Sequence, residues 1–318
     1  MAEPNVGDLV TTTLKYRDPA IADNVTNNNA LLMYLNRGNR IRTVSGGTEI
    51  LEGLSYDNNL TFKWYAGMET LDVAPARVVD SASYQWKQAA VAVTISGLEA
   101  DVINSGSERI KDLVKERVAV AEGTMSNGIS AGIYSDGTGS NGKEIGGLQY
   151  LISPTPSTGV VGGIDPATFD WWRNQVETGV TAATDIQAKM NLLWYKQTRN
   201  RDKPDLITFD DVFYGFYESS LQTIHRITND NLANAGFQNL AYKTATVILD
   251  GGLDGNAPAS TGYFLNTKFL KFRPHSKRNM VPLMGERYSV NQDATTKLIV
   301  FAGNLTMSNR ELQGTLTA

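Results

Sequence analysis

Apolar positions recur along this chain with two different periods, and the switches between them divide it into elements. Residues 1–18 are polar and lack clear periodicity, which predicts an extended arm. Asp18-Pro19 has the residue types of a helix start, an N-cap carboxylate followed by proline at the first helical position. Asn24–Asn29 is poor helix material, Ala30–Leu35 restores the pattern, and Gly38 stops it. From Thr48 the period becomes two. Thr48–Leu54 and Leu60–Tyr65 flank the turn-rich Tyr56-Asp57-Asn58-Asn59, which predicts a hairpin with Leu60, Phe62 and Trp64 on one face. A two-stranded element of this kind is marginal by itself, so its aromatic surface has to pack on something.

Tyr84–Ile95 reads as a long strand with Ala89, Val91, Val93 and Ile95 on one face. It leads into two capping-box spacings, at Ser96–Glu99 and Ser105–Glu108. The second opens the longest helical pattern, about 106–134. Ile110, Leu113, Val114, Val118, Ala121, Met125 and Ile129 form one apolar stripe there, ~40 Å long at 1.5 Å per residue. Gly123, Gly128 and Gly132 mark close packing or a bend, with fraying expected before Tyr134. Beyond the glycine-rich 135–147 and the Pro/Gly-rich 153–166, the second half reads as mixed α/β. Helices are expected at Asp170–Val176, Asp185–Thr198 and Asp211–Ile224. Strands are expected at Leu206–Phe209, Thr244–Leu249, Tyr263–Leu265, Phe269–Phe272 and Lys297–Ala302. No fixed-period repeat is visible.

Composition changes the picture mainly by exclusion. With 318 residues, 41% apolar and 19% charged, the chain can bury one large core or two smaller ones. No apolar run approaches the ~20 residues of a membrane span, and Met1–Thr13 lacks signal-peptide character. The absence of cysteine removes disulfides and thiolate metal sites and points to a reducing cytosol. Net charge is −4, and the basic runs Arg37–Arg42 and Lys196–Lys203 read as solvated charge, so tight DNA binding is not expected.

Candidate chemistry is sparse. Gly137-Thr138-Gly139-Ser140-Asn141-Gly142 matches a dinucleotide-binding string, but it follows a helix pattern and precedes a poor helix start, so a flexible loop is the better reading. Asp136 and Asp254 lack the ligand spacing of calcium loops. His225 and His275 lie far apart and form no zinc motif. No nucleophile elbow or phosphate-binding loop is present. Trp171-Trp172 and Trp194-Tyr195 read as core or interface aromatics within helices. No catalytic, cofactor or metal site is assigned, and the protein is not expected to be an enzyme.

The order of arm, hairpin, long strand, long helix, mixed α/β region and returning strand resembles the major capsid protein of tailed bacteriophages, an α+β fold of the Hong Kong 97 type. Local strings resemble that family as well: Asp8–Leu14, Arg42–Gly47, Trp86–Val91 with Thr94–Gly97, and Ile133–Gly137 leading into Ile145–Leu148. The resemblance implies an N-terminal arm over 1–44 and an E-loop over 45–83. It implies a peripheral (P) domain over 84–165 with 288–318, holding the spine helix, and an axial (A) domain over 166–287. It also implies a coat subunit forming pentamers and hexamers in an icosahedral virion shell assembled in the host cytoplasm. Such a shell encloses DNA without tight specific binding. Inter-subunit contacts are expected at Tyr56, Leu60, Phe62, Lys63, Trp64 and Tyr65. Residues 1–18 are too short for a built-in scaffolding segment, so the expectation is a separate scaffold protein or a processed chain, with a portal and, in some relatives, a decoration protein. Lys63 is a donor candidate for Lys–Asn cross-linking, for which no partner or catalytic carboxylate matches. An encapsulin-type nanocompartment shell is the alternative on the same fold, and an unrelated enzyme or binding protein the alternative of another class.

Overall fold

The structure is a computed structural model that describes residues 30–59, 61–74, 78–96, 98, 107–221, 239–251, 255–283, 287–288 and 293–318. The helix start at Asp18, both capping boxes in large part, His225 and Asp254 lie outside these residues. Helix α1, Ala30–Arg37, buries Ala30, Leu31 and Leu35 and stops where the Gly38 amide donates to Tyr34 O. Strands β1 (Ile50–Ser55) and β2 (Val79–Tyr84) form an antiparallel ribbon. Strand β3 is Lys87–Ser96, and helix α2 is Ser107–Tyr134. Helix α2 runs unbroken to Tyr134, beyond the expected fraying point. Its end is held by close packing: a Cβ on Gly147 would lie 2.4 Å from Ile133 O, so that position requires glycine.

The chain continues through a short helix α3, Leu148–Leu151, and a 3₁₀ turn at Asp170–Trp172. It then forms β4 (Gln175–Glu177), helix α4 (Ala183–Gln197), β5 (Leu206–Phe209) and helix α5 (Asp211–Ser220). Asp210 caps α5, accepting from the Phe213 amide at 3.1 Å. The remaining strands are β6 (Asn239–Tyr242), β7 (Ala245–Leu249), β8 (Thr261–Leu265), β9 (Leu270–Pro274), β10 (Val281–Pro282), β11 (Arg287–Tyr288), β12 (Ala294–Met307) and β13 (Gly314–Thr317).

Two sheets organise these elements. One is built on β12, which pairs antiparallel with β3 over Ala294–Gly303 and with β9 over Gly303–Met307, and also with β10 and β11. Val93, Ile299, Phe301 and Leu305 lie in the core it shares with Ala121, Met125, Ile129 and Ile133 of α2. The other has the order β4-β13-β8-β5-β7-β6, and Ile207, Phe209, Val247, Phe264 and Leu316 pack there against α4 and α5. The Tyr134 hydroxyl donates to Asp250 Oδ2 at 2.6 Å, which ties the end of α2 to the second sheet.

Several expectations change. The partner of β1 is Val79–Tyr84, where Ala82 and Tyr84 point inward as Ile50, Glu52 and Leu54 do, and residues 61–65 form no strand. A strand requires a matching partner face, and the alternation at Phe62 and Trp64 has none among the described residues. The expected strand from Tyr84 breaks at Gln85-Trp86, because Tyr84 completes the ribbon and Lys87 begins β3. Asp170–Val176 is a 3₁₀ turn and a strand, since buried Trp172 is held by its indole N–H donating to Val161 O at 2.8 Å. Sheet membership does not follow the 166–287 and 288–318 bounds: β9 and β10 belong to the sheet of β3, and β13 enters the six-stranded sheet.

Candidate assembly interface

The ribbon has a fixed foot and an exposed tip. At the foot, Glu52 is 4% exposed on a β-strand, a position that is costly for a carboxylate unless it is paired. It receives Lys271 Nζ at 2.9 Å, Arg273 Nη2 at 2.6 Å and the Thr306 hydroxyl at 3.0 Å. Burial alone would raise its pKa, and the Lys271 and Arg273 contacts overcome that and hold it below the ordinary glutamate value. The buried Tyr84 hydroxyl donates to Met307 O at 2.8 Å, with its pKa raised by burial. The Ser83 amide donates to Gly162 O at 2.9 Å, and Tyr56 stacks on Trp171 with ring centroids 5.0 Å apart. These contacts join the ribbon to β9, β12 and the 161–172 segment.

Beyond Tyr56 this support ends. Phe62 is 75% exposed, Trp64 89% and Tyr65 62%, and Met68, Leu71 and Val73 are exposed with them. Phe62 and Trp64 meet edge to face at 5.7 Å, so the two rings cover each other only in part. Lys63 donates to Thr70 O at 2.6 Å and pairs with Glu69 at 3.5 Å, bonds that set the local turn. Of the six sequence-predicted contact residues, Phe62, Lys63, Trp64 and Tyr65 thus lie together on the tip. Tyr56 belongs to the foot, and Leu60 lies outside the described residues. The sequence reading missed Met68, Leu71, Val73 and the anchor Glu52. The alternation of Val79–Tyr84 was the available signal for the true partner strand.

The other candidate motifs resolve into structure. The 137–142 string follows α2 and turns through left-handed Ser140 and Asn141, a geometry unlike a strand–loop–helix phosphate cradle. Asp136 Oδ1 accepts from the Thr138 amide and hydroxyl, bonds that hold its carboxyl below the ordinary aspartate value. His275 packs edge to face on Trp86 and accepts from the Lys277 amide. Trp194 is buried and Tyr195 exposed, with Lys243 Nζ over both rings. A cleft of about 410 Å³ lies between the ribbon foot and the 136–146 loop, lined by Glu49, Tyr84, Lys87, Asp136 and Asn304 among others. Among the described residues no three metal-ligating side chains gather, and no helix is long and apolar enough to cross a membrane.

No protein-family model and no curated protein matches the chain by sequence. Solved structures do match, over nearly the full length of both partners. The cyanophage A-1(L) capsid asymmetric unit has a TM-score of 0.69 at 18% identity, covering 96% of this chain and 97% of that one. The capsid of a native GTA particle gives 0.61 at 11% identity, covering 96% and 98%. The holo-SrpI encapsulin complex from Synechococcus elongatus PCC 7942 gives 0.52 at 9% identity, covering 100% and 96%. The β12-centred sheet, the six-stranded sheet, the long helix α2 and the projecting ribbon therefore make up a Hong Kong 97-type capsid fold.

Proposed function

We propose that the protein is the major capsid protein of a tailed double-stranded DNA bacteriophage, assembling into pentamers and hexamers of an icosahedral shell around the genome. The observation that carries this reading is the ribbon: a foot locked by a buried ion pair presents an apolar tip that its own subunit leaves uncovered. Contiguous exposed apolar surface of this kind marks an interaction site. Covering Phe62 and Trp64, at roughly 150–250 Å² per ring and about 25 cal/mol per Å², is worth on the order of 10 kcal/mol per subunit before ordering costs. Heterologous contacts that close on themselves generate rings and shells, and the match to capsid subunits over nearly the whole chain supports that geometry.

In this reading residues 45–83 are the E-loop reaching over a neighbouring subunit, and 1–44 are the N-terminal arm. The α2-bearing sheet is the core of the peripheral domain, and the six-stranded sheet is the core of the axial domain. The protein is structural and carries out no catalysis. It resides in the virion capsid and works with a separate scaffold and a portal. Encapsulin-type shell formation is the second reading, favoured by the match to the SrpI complex. Expression of the full chain, with scaffold supplied, should give closed particles in electron micrographs; monomers and dimers alone would refute both readings. Particles purified from the source should hold nuclease-protected DNA, and a protein cargo in its place would establish the second reading.

A further inference from the structure

Arg37–Arg42 reads in the sequence as modest solvated charge, but the fold gives it a partner. After α1, residues 40–44 run parallel beside β9, bridging Ile41 to Phe272 and Val44 to His275. The Phe272 amide donates to Arg40 O, the Arg42 amide to Phe272 O, the Val44 amide to Pro274 O and the Ser276 amide to Val44 O, all at 2.9–3.1 Å. This register sets Arg40 beside Lys271 and Arg42 beside Arg273. Segments 37–42 and 271–278 together contain Arg37, Arg40, Arg42, Lys271, Arg273, Lys277 and Arg278. They hold seven of the chain's 29 basic residues and none of its 33 acidic ones. His275 lies among them.

Glu52 neutralises part of this edge by taking Lys271 and Arg273. Arg42, Lys277 and Arg278 are exposed, and among the described residues no carboxylate pairs with any of the three. The Arg278 guanidinium donates instead to Gln88 Oε1 at 3.3 Å. Two backbone-paired segments thus hold several like charges on one edge, an arrangement that repels itself until a polyanion lies across it.

We propose that this edge is a sequence-independent binding surface for the phosphodiester backbone of nucleic acid. Five of the seven cations are arginines, whose guanidinium matches phosphate oxygens in bidentate fashion. Between them stand Asn39, Thr43, Ser45, Ser276 and Asn279, all exposed and of types that donate to phosphate. Phe272 is buried, Ile41 packs against the same core, and no large apolar side chain is exposed along either segment. An acidic polypeptide would therefore find charge here but no pocket for its side chains. The surface goes beyond the shell reading and does not depend on it, since the free subunit carries the whole edge.

The test is fluorescence anisotropy of the purified full chain with a short labelled DNA duplex, titrated with NaCl. Binding is expected at low salt and should fall with a slope of about −0.9 per phosphate neutralised. The combined variant Arg42→Glu, Lys277→Glu and Arg278→Glu should weaken binding by at least about tenfold and flatten the salt slope. Its control is Lys143→Glu, Arg201→Glu and Lys203→Glu, which has the same net charge and should bind as the wild type does. The corresponding glutamine triple variant, checked for a wild-type circular dichroism spectrum, should lose affinity in the same direction if the glutamate variant misfolds. Equal losses in patch and control variants, or no binding at low salt, would overturn the proposal. So would competition by polyglutamate as effective as that by unlabelled DNA of equal charge, which would assign the edge to an acidic polypeptide.

Discussion

The foot and the tip of the β1–β2 ribbon are parts of one continuous segment, yet they are stabilised by opposite means. The foot buries Ile50, Glu52, Leu54, Ala82 and Tyr84 on β9, β12 and the 161–172 segment. The tip holds Phe62, Trp64, Met68 and Val73 in the open. Cross-strand pairing ends at Ser55 and Val79, and the apolar side chains beyond that point cover little of one another. Fixing an extended segment by its base limits the directions its exposed face can take. In the proposed coat function, a neighbouring subunit would meet a segment already held at its base.

The separation can be attacked first at its frame. Ending the chain at Asp293 removes β12, the centre of one sheet, and β13, an interior strand of the other. Both sheets lose their backbone partners, and the truncated chain should be insoluble. A soluble product with unchanged circular dichroism would show that the ribbon foot needs no sheet beneath it. Glu52→Ala comes next, because it leaves Lys271 and Arg273 facing a buried vacancy. Breaking a buried ion pair costs about 3–5 kcal/mol, so chemical denaturation should record a loss of that order.

The same site sharpens with pH. The Glu52 pKa is held below its ordinary 4.5, so its contribution is fully present above that value and is lost as pH falls through the lower folded-state pKa. Asp210 and Asp250, raised by burial, act with the opposite sign. The stability difference between wild type and Glu52→Gln therefore isolates Glu52, and it should shrink in acid; a constant difference would mean the carboxylate is not the anchor. Tyr84→Phe removes one buried hydrogen bond to Met307 O and should cost about 1 kcal/mol in the same assay.

The smallest effect on the fold belongs to the tip. Phe62→Ser with Trp64→Ser should leave subunit stability within about 0.5 kcal/mol of wild type while abolishing closed shells in electron micrographs. Normal particles would remove these rings from the interface, and an insoluble double mutant would place them in the subunit core.

Local patterns determined much of this protein before any packing was considered. The stripe from Val118 to Ile129, the apolar run Leu298–Phe301 and the buried strand Leu206–Phe209 each carry a period or a length that one secondary structure satisfies. These elements stand where the pattern placed them. The aromatic surface at Phe62, Trp64 and Tyr65 was legible as a group too large for a two-stranded element to cover, although the strand expected there does not form. Pairing was not legible. That β1 chooses Val79–Tyr84, that β13 crosses into the six-stranded sheet, and that Glu52 finds Lys271 and Arg273 are all choices between residues far apart in the chain. A period of two states that a strand has two faces and is silent on which partner covers them. The basic edge teaches the same point: neither Arg37–Arg42 nor Lys271–Arg278 is exceptional alone, and only the parallel pairing of 40–44 with β9 brings them onto one surface.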